Sequence, residues 1–349
     1  MSFRFSRIFR SAVDELLVVG SRWRRIHAQP IEKVGPPHVQ SHLAVPYITL
    51  IPTLHVASIE FYDKVLEYMQ VAVKRSRGNC KILLEGICDN QEEEEAQLKE
   101  FHSIMNSKSL REKIILKADE NNLHSPKTMQ EICAELALDY TTVMENANQI
   151  RLMECYLKPK LAATVGLNLV NNVDTDMKGV QRLLKEEEGR LEAIGESLPT
   201  SIAVGDLGQF PLIKKYRERK VAEAARRQCE RWIKEEIEGE VIIPWGYFHI
   251  DSIEHYIVQG NRGSEDGTNN AEDEKKLAVF VEADELLAKV DFGISKEIFL
   301  KAKTGEGDSA VETTQKQIRM ETEEDVKEKE KEKKEAKEEA RRTDDFVSF

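Results

Sequence analysis

Residues Glu240–Ile257 read EVIIPWGYFHIDSIEHYI, and this stretch decides the fold. Its β-branched run, Val241–Ile243, predicts a buried strand. Pro244 and Gly246 then indicate the end of the strand and a tight turn. The apolar residues after the turn recur at helical spacing, so we expect a helix to follow directly. His249 is thereby placed just past the carboxyl end of a strand, where ligands bind in open α/β sheets.

A second pair of predicted strands flanks a predicted helix earlier in the chain. Tyr47–Ile51 and Lys81–Leu84 are short apolar runs typical of buried strands, and Ser58–Val73 between them has helical spacing with a serine N-cap. A single helical crossover between two strands makes them parallel, with a right-handed connection. Because His55 and Glu85 follow the two strands directly, we expect both side chains at the same edge of one sheet.

The rest of the central region predicts helices and one more strand. Residues 100–200 are mostly helical in pattern and are interpreted as a helical insertion, although periodicity leaves 167–173 open between strand and helix. Residues 201–204 indicate a strand, and a long helix is expected over about 212–237. The basic cluster near the start of that helix either is a solvated face or supplies one arginine to the site. The predicted fold is α/β, with a central, largely parallel sheet and flanking helices.

The ends of the chain differ in composition from its centre. Residues 1–43 form a basic amphipathic leader, interpreted either as a mitochondrial import signal or as a retained docking helix, and in both cases able to contact a membrane surface. A polar linker at 259–276 precedes one additional strand–helix element at 277–302. Residues 303–349 form a charged low-complexity tail, for which an exposed helix and disorder are the alternatives.

Composition excludes several classes of protein. The chain has 349 residues and a formal net charge of −12, which makes general nucleic-acid binding a poor hypothesis. Its five cysteines are scattered and include no CxxC pair. We therefore expect a reducing compartment rather than a disulfide framework or a zinc knuckle. No apolar run approaches the roughly 20 residues of a transmembrane helix, so we expect no transmembrane segment.

Three residues that follow predicted strands form a candidate metal site. If the three strands are neighbours, the side chains of His55, Glu85 and His249 converge. Two imidazoles and a carboxylate are a recognised ligand set for a divalent metal with an open coordination position. Such a metal would acidify a bound water molecule or polarise a carbonyl group.

Four stretches of the chain resemble the motifs of the TraB family, which belongs to a wider group with the Tiki metalloproteases. They are Pro52–Val56, Leu83–Cys88, Arg217–Glu218 with Val221–Ala222, and Gly246–His249 with Ile253–Glu254. Their order and the long helical insertion also fit, and the resemblance covers about residues 44–258. It implies a TraB/Tiki-like fold, catalytic roles for Glu85 and Arg217, and manganese, cobalt or zinc bound by His55, Glu85 and His249.

The chain also departs from the family pattern. Pro52 replaces the first glycine, and proline cannot adopt the positive φ that is open to glycine. Asn90 stands in place of an arginine, and Glu218 replaces the usual Asp or Asn. Because neighbouring polar groups orient the ligands of a metal, these changes favour a weakened or lost site.

Two functions are therefore predicted. The first is a non-catalytic, TraB-like accessory subunit of a mitochondrial assembly, such as an inner-membrane respiratory or ATP-synthase complex, with the other protein subunits as its partners. The second is a metal-dependent hydrolase or peptidase, in which Arg217 would hold a substrate carboxylate or an oxyanion. A small-ligand or haem-binding role is the third alternative.

Overall fold

The structure is a computed structural model. It describes residues 16–31, 45–86, 108–120, 126–135, 138–165, 170–195, 197–198, 210–260, 277–282 and 286–299. All of these belong to the first of two units, residues 1–300, and the second unit, 301–349, lies outside the described residues. The first part of the predicted leader, most of the predicted linker, the strand at 201–204 and the charged tail therefore also lie outside them.

The described elements are strands and helices in mixed order along the chain. The strands are β1 (Ser21–Pro30), β2 (Tyr47–Thr53), β3 (Val56–Ser58), β4 (Cys80–Leu84), β5 (Ile150–Leu152), β6 (Val170–Asn172), β7 (Glu240–Gly246), β8 (Ala278–Glu282) and β9 (Ala288–Val290). The helices are α1 (Ile59–Arg75), α2 (Lys108–Asp119), α3 (Pro126–Glu135), α4 (Tyr140–Glu145), α5 (Leu157–Thr164), α6 (Met177–Glu192), α7 (Pro211–Lys234) and α8 (Tyr247–Gln259).

The central sheet has the strand order β6-β4-β7-β2-β1-β8, and β9 also pairs with β1. The strands β6, β4, β7 and β2 are parallel, whereas β1 is antiparallel to β2, β8 and β9. The predicted α/β fold with a mostly parallel sheet is confirmed. The two strands of the predicted strand–helix–strand unit, β2 and β4, are parallel as expected. They are not adjacent, because β7 lies between them.

The first strand changes the predicted domain boundary. Residues 21–30, which the sequence places in the leader, form β1 within the sheet, and Trp23 and Ile26 are buried in its two hydrophobic cores. The hydroxyl of Ser21 donates to the carbonyl oxygen of Pro52 at 2.5 Å. Pro52 itself is accommodated inside β2. The folded domain therefore begins well before residue 44.

The carboxyl-terminal part of the domain has the strand predicted at its start, Ala278–Glu282, but differs from the prediction after it. Leu286 and Leu287, expected to start a helix, instead lead into β9, and the only helical turn described beyond them, over 286–299, is the 3-10 turn Lys296–Ile298. Both β8 and β9 pair with β1, so this region completes the sheet rather than forming an additional element. The short apolar run there had no periodicity long enough to separate strand from helix.

Two hydrophobic clusters cover the two faces of the sheet. Successive residues of a strand point to opposite faces. In β7, Ile242 packs on the face covered by α1, whereas Ile243 and Trp245 pack on the face covered by α7 and α8. The N-cap of α1 is Ser58, whose hydroxyl accepts from the backbone N–H of Phe61. Burial on both faces explains why these parallel strands read as continuous apolar runs.

A buried carboxylate holds the amino-terminal end of β7. Glu240 is fully buried and accepts hydrogen bonds from the hydroxyls of Thr49 at 2.7 Å and Tyr68 at 2.5 Å. It also forms an ion pair with Arg75 at 2.6 Å. Because Arg75 is 43% exposed and stays hydrated, the main loss is that of the acceptor for the hydroxyls of Thr49 and Tyr68. We therefore expect Glu240→Ala to lower the free energy of unfolding by about 1–3 kcal/mol.

Urea denaturation measures this effect on stability. The matched control is Glu235→Ala, because Glu235 is an exposed carboxylate whose i,i+4 pair with Arg231 is open to water. Exposed pairs of this kind contribute about 0–1 kcal/mol. Equal losses in the two variants would contradict a stabilising role for the buried network.

Candidate functional site

The candidate site lies where three parallel strands end side by side. β4, β7 and β2 end at Leu84, Gly246 and Thr53, and the last two are paired in register. Glu85 follows β4 directly, and His249 lies in the first turn of α8, immediately after β7. The two predicted site residues are therefore brought together at the carboxyl edge of the sheet, with His249 Nε2 3.6 Å from Glu85 Oε1.

Arg217 is the arginine of the basic cluster that points into the site. It is 5% exposed, and its Nε and Nη2 donate to the two carboxylate oxygens of Asp174 at 2.8 and 2.5 Å. Its Nη2 also donates to Glu85 Oε1 at 3.1 Å. Burial acts to lower the pKa of Arg217, but the hydrogen bonds and charges of Asp174 and Glu85 raise it overall. The N–H groups of Arg217 were predicted to bind a substrate carboxylate. In the structure they bind the carboxylates of Asp174 and Glu85.

His249 is held between two carboxylates. Its Nδ1 is 2.8 Å from Oε1 of Glu218, a buried residue of α7. Its other ring nitrogen faces Glu85 at a distance longer than a normal hydrogen bond. The ring of Trp245 packs edge-on against the imidazole, with ring centroids 5.9 Å apart. The side chain of His249 is 13% exposed, so solvent reaches it although its neighbours are buried.

Glu85 is an ionised carboxylate in a buried position. Its Oε2 accepts from the backbone N–H of Gly246 at 2.7 Å, while Arg217 binds Oε1. Burial raises the pKa of Glu85, but the charges of His249, Arg217 and His55 and the Gly246 hydrogen bond together lower it to about 2. A β-carbon at Gly246 would lie 3.1 Å from Glu85 Oε2, so any side chain there would displace this carboxylate by a few tenths of an ångström.

His55 has a carboxylate partner of its own. Its Nδ1 is 3.1 Å from Oε1 of Glu154, which follows β5. Burial acts to lower the pKa of His55, but the hydrogen bond with Glu154 and the charges of Glu154 and Glu85 raise it. Conversely, burial raises the pKa of Glu154, yet His55 and Lys158 lower it to about 2.

The three predicted metal ligands do not form a metal-binding group in this arrangement. Within the described ranges, no three His, Cys, Asp or Glu side chains form a group that could hold a metal ion. The donor chemistry is nevertheless that of a metal site, because both His55 and His249 are bonded through Nδ1 to a carboxylate, as metal-ligating histidines commonly are. Binding by all three predicted ligands would require the side chains to move from the arrangement described here.

Two acidic residues of the site were not predicted from the sequence. Asp174 follows β6, the strand within the interval 167–173 that periodicity left undecided. Had this interval been interpreted as a parallel strand, Asp174 would have been placed at the same edge as Glu85. Glu154 lies beyond a three-residue strand, which is too short to carry a periodic signal.

Comparison with known proteins adds no relative. No family model, no curated protein and no solved structure matches this chain. The resemblance to the TraB family therefore stays a prediction that rests on its four motifs. Among the residues that the structure describes, no helix combines the length and apolar character needed to cross a membrane.

The lowered pKa values of Glu85 and Glu154 predict acid sensitivity. Both pKa values are near 2 in the folded protein, below the ordinary glutamate pKa of 4.5, so both carboxylates stabilise the fold above pH 4.5. This contribution is lost as the pH falls from 4.5 through about 2. Urea denaturation between pH 6 and pH 2.5 should show a smaller loss for Glu154→Gln than for the wild type. Parallel curves for the two proteins would contradict the assignment for Glu154.

Proposed function

We propose that the carboxyl edge of the sheet is a hydrolytic site in which His249 is the acid–base group. The observation that carries this proposal is the clamp on His249, whose Nδ1 is bonded to buried Glu218 while Nε2 makes no hydrogen bond to Glu85. A carboxylate on Nδ1 fixes the orientation and the tautomer of an imidazole. The nitrogen that remains, Nε2, is then the one that accepts a proton.

The chemistry follows from this arrangement. His249 Nε2 takes a proton from a water molecule, whose oxygen attacks the carbonyl carbon of an ester or amide. The imidazolium then returns the proton to the leaving oxygen or nitrogen as the carbonyl re-forms, so the histidine ends in its starting state. Because Glu85 is already ionised, its negative charge stabilises the imidazolium between the two steps.

Arg217 acts indirectly in this scheme. It binds Glu85 and Asp174 and touches neither ring nitrogen of His249 in the contacts described for it. It therefore positions Glu85 and partly balances two buried negative charges. A buried cluster of this size costs desolvation energy, which well-packed apolar residues would avoid. The presence of such a costly cluster at the sheet edge supports a working site.

A metal-dependent form of the reaction remains part of the proposal. His55, Glu85 and His249 are the residues that would hold manganese, cobalt or zinc, and such an ion would supply a more acidic bound water. Elemental analysis of the purified protein, beside a His55→Ala/His249→Ala double variant, tests this form. One ion per chain that is lost in the double variant supports it, and no metal in either protein after incubation with these ions contradicts it.

The direct test of the proposed function is hydrolysis by the full chain. Purified protein is assayed on p-nitrophenyl acetate and on a mixture of quenched-fluorescent peptides. We expect turnover that depends on His249. No turnover of any ester or peptide, or equal turnover by the wild type and a His249→Gln variant, would contradict a hydrolytic site.

A non-catalytic accessory subunit of a mitochondrial assembly is the second candidate. It is supported by the internal pairing of Arg217 with Asp174 and Glu85, since a guanidinium bound in this way also serves as a purely structural tie. Co-migration with a large complex on a native gel of mitochondrial extract tests it. The import signal is tested by removing residues 1–15 only, because removal to residue 30 would delete β1. Unchanged fractionation with mitochondria would contradict the import signal.

A further inference from the structure

The site contains two glutamate–histidine pairs of the same kind. Glu218 Oε1 lies 2.8 Å from Nδ1 of His249, and Glu154 Oε1 lies 3.1 Å from Nδ1 of His55. The members of the pairs are 31 and 99 residues apart in the sequence, so neither pair is a local accident of one helix. In each pair the histidine follows a parallel strand of the sheet, β7 or β2, and the glutamate comes from another element.

The histidines of both pairs influence the same carboxylate, that of Glu85. The charges of His249 and His55 both lower the pKa of Glu85. His55 is therefore within electrostatic reach of the group that stabilises the proposed imidazolium, although it makes no hydrogen bond to it in the contacts described. The two histidines follow two adjacent strands, because β7 and β2 pair in register up to Gly246 and Thr53.

Lys158 connects the second pair to the strand that carries Glu85. Its Nζ lies 3.7 Å from Glu154 Oε1 and donates to the backbone carbonyl oxygen of Glu85 at 3.0 Å. The start of α5 is thereby fastened to the end of β4. Since the peptide N–H of Met153 also donates to the carbonyl oxygen of His55 at 2.9 Å, the backbone of Glu154 is held beside His55 on a short strand pair. The position of Glu154 is thus fixed from both sides.

We propose that Glu154 is the positioning residue of His55, as Glu218 is of His249, so that His55 Nε2 is the nitrogen left for a substrate or an ion at the site. This inference rests on the proposed hydrolytic function for its kinetic consequence, but not for its structural content. The hydrogen bond to Glu154 places the ring proton on Nδ1 when the imidazole is neutral. The region interpreted as an insertion therefore supplies part of the site rather than only covering the sheet.

The test reads the ring protons directly. Full-length protein labelled with ¹⁵N-histidine contains eight histidines, and the signals of His55 are assigned by their loss in His55→Gln. At a pH where the rings are neutral, we expect His55 to carry its proton on Nδ1. Glu154→Ala should move that proton to Nε2 or produce exchange between the two forms, whereas Glu154→Gln, which keeps an acceptor oxygen, should retain Nδ1–H.

Cross-controls separate positioning from a general effect on folding. Glu218→Ala should alter the signals of His249 and not those of His55, and the exposed-surface variant Glu145→Gln should alter neither. Unchanged His55 signals in Glu154→Ala, or a wild-type His55 protonated on Nε2, would overturn the proposal. A lower melting temperature of Glu154→Ala without a change in the His55 tautomer would also overturn the proposal, because Glu154 would then have a structural role only.

The kinetic consequence is measured on the same proteins with p-nitrophenyl acetate. Glu154→Ala should lower kcat about 10- to 100-fold, as loss of a partner that orients an active-site histidine does, with little change in KM. If the wild type is active and Glu154→Ala has the same kcat, the proposal is overturned. If the wild type itself shows no turnover, the proposed function fails, and the NMR signals of His55 still decide whether Glu154 positions the ring.

Discussion

Replacing His249 with glutamine should lower kcat for ester hydrolysis by about 10²- to 10⁴-fold, the usual contribution of a general acid–base group. Glutamine is chosen because it removes the ring but leaves a polar amide of similar length beside the buried carboxylates. The change therefore removes the proton-accepting Nε2 while retaining most of the packing. The measurement is steady-state hydrolysis of p-nitrophenyl acetate, beside a urea denaturation curve for the same preparation.

The control for this variant lies on the same helix. His255 is exposed on α8 and contacts Tyr256 rather than the site, so His255→Gln should hydrolyse at the wild-type rate. This control matters because any surface histidine hydrolyses activated esters slowly. Equal rates for the His249→Gln, His255→Gln and wild-type proteins would show that the observed turnover is that of surface imidazoles, and the hydrolytic proposal would then be abandoned.

The edge of the sheet was predictable because the sequence shows where each of its strands ends. The short apolar runs before His55, Glu85 and His249 gave the strand positions, and proline and glycine gave the turn after β7. Parallel strands then place the residues that follow them at one edge, which is where the structure has Glu85 and His249. Periodicity left the arginine as one of several in a basic cluster, because helical spacing does not tell which residue meets a partner from another element. Only the resemblance to the TraB family singled out Arg217.

The partners of these residues were not predictable in the same way. Glu154 reaches His55 across 99 residues, and Asp174 reaches Arg217 across 43. Such contacts depend on topology, which periodicity does not encode when a strand has only three residues. From the sequence, β1 was assigned to the leader because its arginines make the segment basic. The burial of Trp23 and Ile26, which marks it as a strand of the sheet, is seen only in the structure. A strand with charged residues on its outer positions resembles a basic amphipathic segment until its neighbours are known.

The largest effect on stability is expected for Arg217→Met. This change removes the cation that binds Asp174 and Glu85, two carboxylates that are 1% and 7% exposed. Removing one partner from a buried ion pair costs about 3–5 kcal/mol, because the remaining charge is desolvated without compensation. Methionine keeps the apolar volume, so the loss measured in urea denaturation reports the charges rather than a cavity.

Two comparisons give this result its meaning. Arg227→Met on the same helix alters an exposed i,i+4 pair with Glu223 and should cost less than about 1 kcal/mol. Arg217→Lys should be intermediate, because an ammonium supplies the charge without the two-pronged geometry that Arg217 uses on Asp174. The loss in Arg217→Met should also shrink toward acid pH, since protonating Glu85 removes one of the charges left unpaired. A loss below about 1 kcal/mol at neutral pH would mean that water reaches these carboxylates, and both candidate functions would lose the buried ion cluster on which they depend.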